Sequence, residues 1–588
     1  MQKYEQKNAK IPFLFFLLLL GFLIFIATLL YWAQIDRRLP RLYNKDIDSA
    51  LRGNIISAHN YTVATSKKLY KAVVDTRNIN PNKRELFLKL YSLYSGEKIK
   101  DIKRSIKSYF GTVVLSYKID AISAYHLREL ARKLYRLGVF VSYENKKTGI
   151  TFLHGLNIVE SGEYRVYPYK DTLTPVIGYV RKYEKNRMTK VYGVNGLEKE
   201  YNKILNPVQD GIIEGSKDIA GNIILNGYSK IVTRIDGSNL HLNISLKLQK
   251  IVENILDNYK KKLKAKEIVA SVMDSKTGKI LMLASSNRYN PSHIKKSQYD
   301  NLNITATEFP YEPGSVLKPV IFSLLLEEHK VNPYELVRIY GGKYRIGKKI
   351  IRDSHKFEWL SAEDVIVHSS NVGISQLAQR LNYVDYYNGL KKFGFTKKTG
   401  IDLPYERTGV IPKIYELKSE IYKAVTAYGY GIEATFMQLL KIYNIFNNNG
   451  RAVKPTILNY YQDAYGRKYF IDTSRYKQII PIEVARRMKQ ILIKTVRKGT
   501  GTATDINGLQ IGGKTGTSHI AEHGKYTNFY NSSFYGFAND KTHHYTIGVL
   551  VRRPTKKYYY YASQTAVPVF RRIVEELVEE GYLKVEKK

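Results

Sequence analysis

Between Ile11 and Ala33 the chain reads IPFLFFLLLLGFLIFIATLLYWA, without a charged residue. In a helix rising ~1.5 Å per residue such a run crosses a ~30 Å hydrocarbon core with some tilt. Tyr31 and Trp32 fall where an interfacial aromatic belt lies. A cleaved signal peptide has a shorter apolar region, so an uncleaved anchor over 11–33 is expected, preceded by a cytoplasmic tail at 1–10. Charge hardly sets orientation, because Lys3, Lys7 and Lys10 precede the span and Arg37, Arg38 and Arg41 follow it.

After a charged stretch at 34–50, residues 51–235 mix short strand-like runs (112–117, 139–143, 164–167) with an amphipathic helix at 121–137. This is expected to be a non-catalytic pedestal domain. A second domain is expected over 240–588. It starts with a helix at 246–263 and a strand–turn–strand hairpin, 267–274 and 279–285 around Ser275–Gly278. Helices follow over 320–326, 362–381 and 435–447, then strands at 509–513, 533–538 and 545–551 and a closing helix at 565–580. Strands, a helical insert, strands and a helix make an α+β fold, with an antiparallel sheet flanked by helices. The Tyr558–Tyr561 run reads as a strand or surface feature.

Composition changes this picture little. Lys and Arg number 94 against 52 Asp and Glu, a formal charge of +42. Nucleic acid is the first partner such a charge suggests. The basic residues are spread along the chain among acids and form no nucleic-acid-binding motif, so no nucleic acid is expected. A basic surface near anionic lipid head groups, or a general lysine bias, accounts for the charge. Cysteine is absent, which removes disulfides, thiolate metal sites and cysteine nucleophiles.

Three short motifs carry the chemistry: Ser315-Val-Leu-Lys318, Ser369-Ser-Asn371 and Lys514-Thr-Gly-Thr517. Each recurs by chance in so lysine-rich a chain. S-x-x-K also begins at Ser95, Ser292 and Ser474, K-T-G at Lys147, Lys276 and Lys398, and S-x-N at Ser285. Context selects among them. Ser315 alone follows a Pro-Gly turn and precedes a long apolar helix-like run, and Lys514 alone follows Gly512-Gly513 and an apolar strand-like stretch.

Ser315 should sit at a helix N-terminus, where unpaired N–H groups favour negative charge on its oxygen and on a nearby oxyanion. Lys318, three residues on, shares its face and is placed as general base. A free lysine titrates near 10.4, so half-neutrality at pH 7 needs a shift costing about 4–5 kcal/mol. Burial and a second cation, Lys514, would supply it. Ser369 is placed to relay a proton to the leaving amine, and Asn371 to orient a peptide substrate. Gly516 should let the strand backbone approach that substrate. The N–H groups of Ser315 and Thr517 would form the oxyanion hole, and Lys514, Thr515 and Thr517 would hold a substrate carboxylate.

These motifs resemble those of class B penicillin-binding proteins. Glu312–Pro319, Ser369–Gly373, Tyr428–Ile432 with Thr435 and Gln438, Gly394–Pro404, Arg52-Gly53 and Gly193–Tyr201 extend the likeness over nearly the whole chain after residue 50. Asn243-Ile-Ser departs from the expected Thr-Ile-Asp, away from the site. The resemblance implies a penicillin-binding transpeptidase fold and a serine D,D-transpeptidase without cofactor or metal. Such an enzyme cross-links peptidoglycan stem peptides ending in D-Ala-D-Ala and is acylated by β-lactams. It implies a single-pass protein of the cytoplasmic membrane, N-terminus inside and catalytic domain on the periplasmic side. The Ser-Ser-Asn-Val-Gly and Tyr-Gly-Tyr-Gly forms resemble the cell-division type, whose partners are a septal glycosyltransferase and other division proteins. An elongation-type transpeptidase and a D,D-carboxypeptidase of the same fold stay open. A β-lactamase is disfavoured because no deacylating glutamate can be assigned, a β-lactam sensor because it needs several membrane spans, and a non-enzymatic scaffold because every catalytic position is filled.

Overall fold

The computed structural model describes residues 2–34, 43–108, 110–144, 151–185, 188–217, 223–474, 476–522, 524–557 and 559–586. Residues 35–42 of the juxtamembrane stretch expected at 34–50 and the Lys147 K-T-G copy lie outside them. The chain forms two compact units, Met1–Asp48 with Asp210–Arg234, and Ser49–Gln209 with Ile235–Lys588.

In the first unit a helix runs Gln2–Gln34, so the stretch expected as a separate tail continues the same helix. Ile11–Gln34 is apolar enough to cross a membrane, with mean hydropathy 3.0. A three-stranded antiparallel sheet, Tyr43–Asp48, Gly211–Ser216 and Lys230–Val232, completes the unit.

The second unit ignores the boundary expected near 235–240. One continuous core joins Ile55, Val63, Leu197 and Leu205 of the pedestal to Leu240, Val269, Val316 and Phe436 of the second domain. Its pedestal is also held by a buried ion cluster. Arg52 Nε and Arg165 Nε donate to the two oxygens of Glu198 at 2.8 and 2.7 Å. This explains why Arg52 and the Gly193–Tyr201 stretch matter to the fold, because removing one partner would strand buried charge.

The second domain is built on a five-stranded antiparallel sheet: β1 (Ala265–Asp274), β2 (Ile280–Ser285), β3 (Gln510–Glu522), β4 (Lys525–Asn539) and β5 (His544–Pro554), in the order β2-β1-β5-β4-β3. Alternation along the strands sends side chains to opposite faces. Ile268, Ala270 and Val272 of β1 and Ile547, Val549 and Val551 of β5 pack with α1 (Leu246–Leu263) and the C-terminal helix (Ala566–Glu579). Val269, Met273, Tyr535 and Phe537 face the other core with α2 (Lys318–Glu327) and Phe436–Asn447. The sheet lies between helical layers, as expected. Ser275–Gly278 is the hairpin turn between β1 and β2, with Asp274 Oδ1 accepting the N–H groups of Lys276 and Thr277, so this K-T-G copy is structural. At the departure from the family pattern, Ser245 caps α1 by accepting the Leu248 N–H, a job an aspartate would also do.

One expected element is broken. The helix anticipated over 362–381 is two, Ala362–Val367 and α3 (Asn371–Ala378). Ser369 adopts φ +61°, a left-handed conformation that costs a non-glycine residue on the order of 1–3 kcal/mol, and Ser370 N-caps α3 by accepting the Gly373 N–H at 2.8 Å. The periodicity is continuous through Ser369–Asn371, but the backbone is not.

Candidate active site

Ser315 lies in a 3-10 turn, Gly314–Leu317, that passes directly into α2. The Lys318 N–H donates to the Ser315 carbonyl, and in such a turn residues three apart eclipse, so Lys318 stands directly over Ser315. Pro319 falls in the first turn of α2, where its missing N–H costs little. Gly314 has φ +61° and donates to Gly429 O at 3.1 Å, which ties the turn to the Tyr428–Ile432 loop.

The third motif is on β3, an edge strand paired only with β4 among the described residues. An edge leaves backbone groups open to an added strand, as expected for peptide binding. Gly516 has a further job. A Cβ there would lie 2.8 Å from both Pro313 O and Val316 Cγ1, and one on Gly314 would lie 2.9 Å from Thr517 O. The two glycines therefore let the nucleophile's turn seat against the Lys514–Thr517 strand. Sequence reasoning placed substrate where the structure places protein backbone.

Lys318 is fully buried and its ammonium is directed at the second motif. It donates to Ser369 O at 2.6 Å, Asn371 Oδ1 at 2.7 Å and Ser369 Oγ at 3.1 Å. The left-handed turn at Ser369 brings its carbonyl and hydroxyl to the same ammonium. Asn371 Nδ2 donates to Arg352 O at 2.9 Å, so the amide expected to meet substrate is engaged at both ends. Among the described residues the Ser315 hydroxyl forms no hydrogen bond.

Asp353 was not anticipated. Its carboxylate accepts the Ser370 hydroxyl and the Asn371 N–H, each at 2.5 Å, and the Val372 N–H at 3.0 Å. It thus caps α3 and fixes the loop that holds Lys318. It precedes the motif by more than four helical turns of sequence, in a loop without periodicity, so no local signal pointed to it. Of the tyrosine run expected as a strand or surface feature, Tyr558 lies outside the described residues and Tyr559–Tyr561 form no strand. Tyr560 and Tyr561 line the cleft with Tyr428, Tyr430 and Tyr530, and Tyr530 stacks on Tyr560 with ring centroids 4.6 Å apart.

The cleft has a volume of about 530 Å³ and is lined by Ser315, Ser369, Asn371, Thr515 and Thr517. Lys318, Lys514 and Gly516 lie behind that lining. Thr515 Oγ1 meets Thr500 Oγ1 at 2.8 Å, and Thr517 Oγ1 accepts the Ala562 N–H at 3.2 Å. Among the described residues Lys514 Nζ, buried, has only Thr515 O and Oγ1 as partners, both at 3.4 Å.

Two buried ammonium groups without a salt bridge are costly. Burial pushes Lys318 down to about 7, opposed by the negative charge of Asp353. Burial drives Lys514 well below the usual lysine value, and the charge of Lys318 drives it further. Burial, one of the two causes expected, depresses Lys318, and the neighbouring ammonium groups disfavour each other's charge.

A family model for the penicillin-binding protein transpeptidase domain matches residues 268–575, and one for the penicillin-binding protein dimerisation domain matches 47–242. Peptidoglycan D,D-transpeptidase FtsI of Buchnera aphidicola subsp. Baizongia pistaciae is 26% identical over 98% of this chain and 96% of its own length. Penicillin-binding protein PbpB of Mycolicibacterium smegmatis is 28% identical, and the match spans 66% of this chain and 61% of that relative. Among solved structures, penicillin-binding protein 2X of Streptococcus thermophilus matches with a TM-score of 0.74 at 20% identity, covering 93% of this chain and 83% of that one. Penicillin-binding protein 3 of Mycobacterium tuberculosis, complexed with aztreonam, matches with a TM-score of 0.65 at 22% identity, covering 92% and 98%. With Ser315, Lys318, Ser369, Asn371 and the Lys514–Thr517 edge strand assembled around one cleft, and with both domain models matched, the chain belongs to the penicillin-binding protein transpeptidase family, as a class B member.

Proposed function

We propose that this protein is a peptidoglycan D,D-transpeptidase that works through an acyl-enzyme on Ser315. The observation that carries the reading is the pair Ser315 and Lys318, one 3-10 turn apart, with the lysine held near half-neutrality by burial. Neutral Lys318 takes the Ser315 proton as the oxygen attacks the carbonyl of the penultimate D-alanine. The N–H groups of Ser315 and Thr517 receive the oxyanion, each such donor being worth ~10²–10³ in rate. Lys318 returns the proton through Ser369 to the departing D-alanine amine. The stem-peptide backbone adds to the free edge of β3. A terminal carboxylate near Thr515 and Thr517 would favour the charged form of Lys514. An amine from a second stem peptide then takes the acyl group and regenerates Ser315.

A β-lactam follows the first half of this course and stops at the acyl-enzyme. The FtsI-type relatives support a septal role for the protein. The Ile11–Gln34 helix supports a single-pass anchor, and a peptidoglycan substrate calls for the catalytic domain outside the cytoplasm. The test is incubation with a peptide ending in D-Ala-D-Ala and an amine acceptor. Equimolar D-alanine and cross-linked product, both lost in Ser315→Ala, is the expected result. D-alanine without cross-link would make the protein a carboxypeptidase, and no D-alanine from folded protein would remove the enzymatic reading.

A further inference from the structure

A second cavity, of about 570 Å³, shares no lining residue with the Ser315 cleft. Its size is that of small-molecule sites, roughly 300–1,000 Å³. Phe393, Ile445, Val453 and Ile479 give it an apolar floor, and among the described residues every charged residue in its lining is a lysine. Lys391, Lys392, Lys397 and Lys398 come from the end of the helix Tyr383–Phe393 and the loop after it. Lys441 comes from Phe436–Asn447, and Lys454 and Lys477 close the opposite side. The Ser315 cleft of the same chain has neither lysine nor arginine in its lining, and a third cavity mixes Lys494, Arg497, Lys498 and Lys541 with Asp540 and Glu586, so the lack of acids sets this lining apart.

Three of these lysines have partners. Lys392 pairs with Glu327 at 2.5 Å, Lys391 lies over the Tyr387 ring at 5.3 Å, and Lys441 Nζ donates to Thr399 O at 3.0 Å. Lys397, Lys398, Lys454 and Lys477 make no ion pair or side-chain hydrogen bond among the described residues. The nearby acids offset this charge only in part. Glu406 faces Lys441 while accepting from Thr399 N, Thr399 Oγ1 and Gly400 N, and Glu200, outside the lining, interacts with the charges of Lys398 and Lys454, which with Glu327 sets three carboxylates against the seven lysines of the lining. The backbone that carries two of these cations is also held in place. Gln438 Nε2 donates to Gly394, Phe395 and Lys397 carbonyls at 3.1, 2.7 and 2.9 Å, which clamps the loop bearing Lys397 and Lys398. The stem of Lys454 packs on Gly400.

We propose that this cavity is an anion-binding site, distinct from the transpeptidase cleft, for a phosphoryl ligand carrying two or more negative charges. Several like charges held around one opening repel each other until an anion arrives. Lysine is a compact point charge suited to phosphoryl oxygens, whereas the lining, among the described residues, lacks the arginine fork that suits planar carboxylates. The apolar floor leaves room for a small substituent on the phosphoryl group.

The experiment is calorimetric titration of the full-length protein, in neutral detergent near physiological salt, with inorganic pyrophosphate. Two triple variants remove equal charge: Lys398→Glu with Lys454→Glu and Lys477→Glu at the cavity, and Lys98→Glu with Lys100→Glu and Lys107→Glu on an exposed pedestal face. Saturable binding, weakened at least tenfold by the cavity set and less than twofold by the control set, is expected. Wild-type penicillin labelling in both sets shows that they fold. If the cavity set does not label, the single Lys477→Ala and Lys454→Ala variants replace it, with a smaller loss expected in each. Doping the micelles with phosphatidic acid separates sources: competition through the cavity lysines assigns a lipid head group, and its absence a soluble phosphoester. No saturable binding, or equal weakening by both sets, would overturn the proposal.

Discussion

The carboxylate of Asp353 accepts the backbone N–H of Asn371 at 2.5 Å, at the first residue of α3. Through Asn371 Oδ1 and the Ser369 carbonyl this contact positions Lys318, and the same carboxylate is the anion that holds the Lys318 pKa up. Asp353→Asn should therefore act in two ways. Loosening the loop should slow acylation by about 10- to 100-fold, as displacement of a catalytic group by about 1 Å does. Losing the charge should move the acid limb of the acylation profile to lower pH. A slower rate with an unmoved limb would leave Asp353 a structural cap only.

Lys318 has a folded pKa of about 7 against an ordinary lysine value of 10.5. Between these values the unfolded chain binds the proton and the folded chain has lost it, so stability rises with pH across that window. The penalty is full below pH 7 and disappears above 10.5. One proton corresponds to about 1.4 kcal/mol per pH unit. Urea unfolding of wild type and Lys318→Met from pH 7 to 10 should differ in slope by up to that amount, with the shallower slope in the variant. Equal slopes would mean that Lys318 is not desolvated.

Acylation itself should follow the neutral form of Lys318. The second-order rate constant for penicillin should rise about tenfold per pH unit below 7 and level off above it. Lys318→Arg, always protonated, should lose activity by several orders of magnitude while still folding. A flat profile through neutrality would remove Lys318 as the base.

Gly516→Ala puts a methyl group 2.8 Å from Pro313 O, where backbone has no room to yield. Overpacking of this kind costs typically about 1–3 kcal/mol. Here it should also displace the Ser315 turn, so both melting temperature and acylation rate should fall. A normal rate in a destabilised protein would show that the turn and β3 move independently.

Glu198 lies buried between Arg52 and Arg165, which hold its carboxyl below the usual range against the burial that raises it. Its contribution to stability is present above about pH 4.5 and is lost as pH falls through its lower folded value. Glu198→Ala leaves two buried guanidinium groups unpaired, and breaking such a cluster costs on the order of 3–5 kcal/mol. Unfolding midpoints should drop accordingly, while acylation per folded molecule stays at the wild-type rate.

Much of this was legible in the chain because its chemistry is local. The spacing of Ser315 and Lys318 is a single turn, and the apolar runs over 246–263 and 436–447 have the period of the helices they form. What escaped is what depends on residues far apart. Asp353 reaches Asn371 only after the chain folds back, Gly516 meets Pro313 across two elements, and Tyr560 meets Tyr530 across the cleft. The break at Ser369 was hidden for another reason: a helical pattern of apolar residues does not record a single left-handed residue.

The central claim is that Ser315 is the acylated nucleophile. Full-length wild type and Ser315→Ala, shown by thermal unfolding to be equally folded, are incubated with penicillin and measured by intact mass and peptide mapping. One penicilloyl adduct on Ser315 in wild type and none in the variant is the predicted result. An adduct of equal yield in Ser315→Ala, at Ser292, Ser474 or elsewhere, would contradict it.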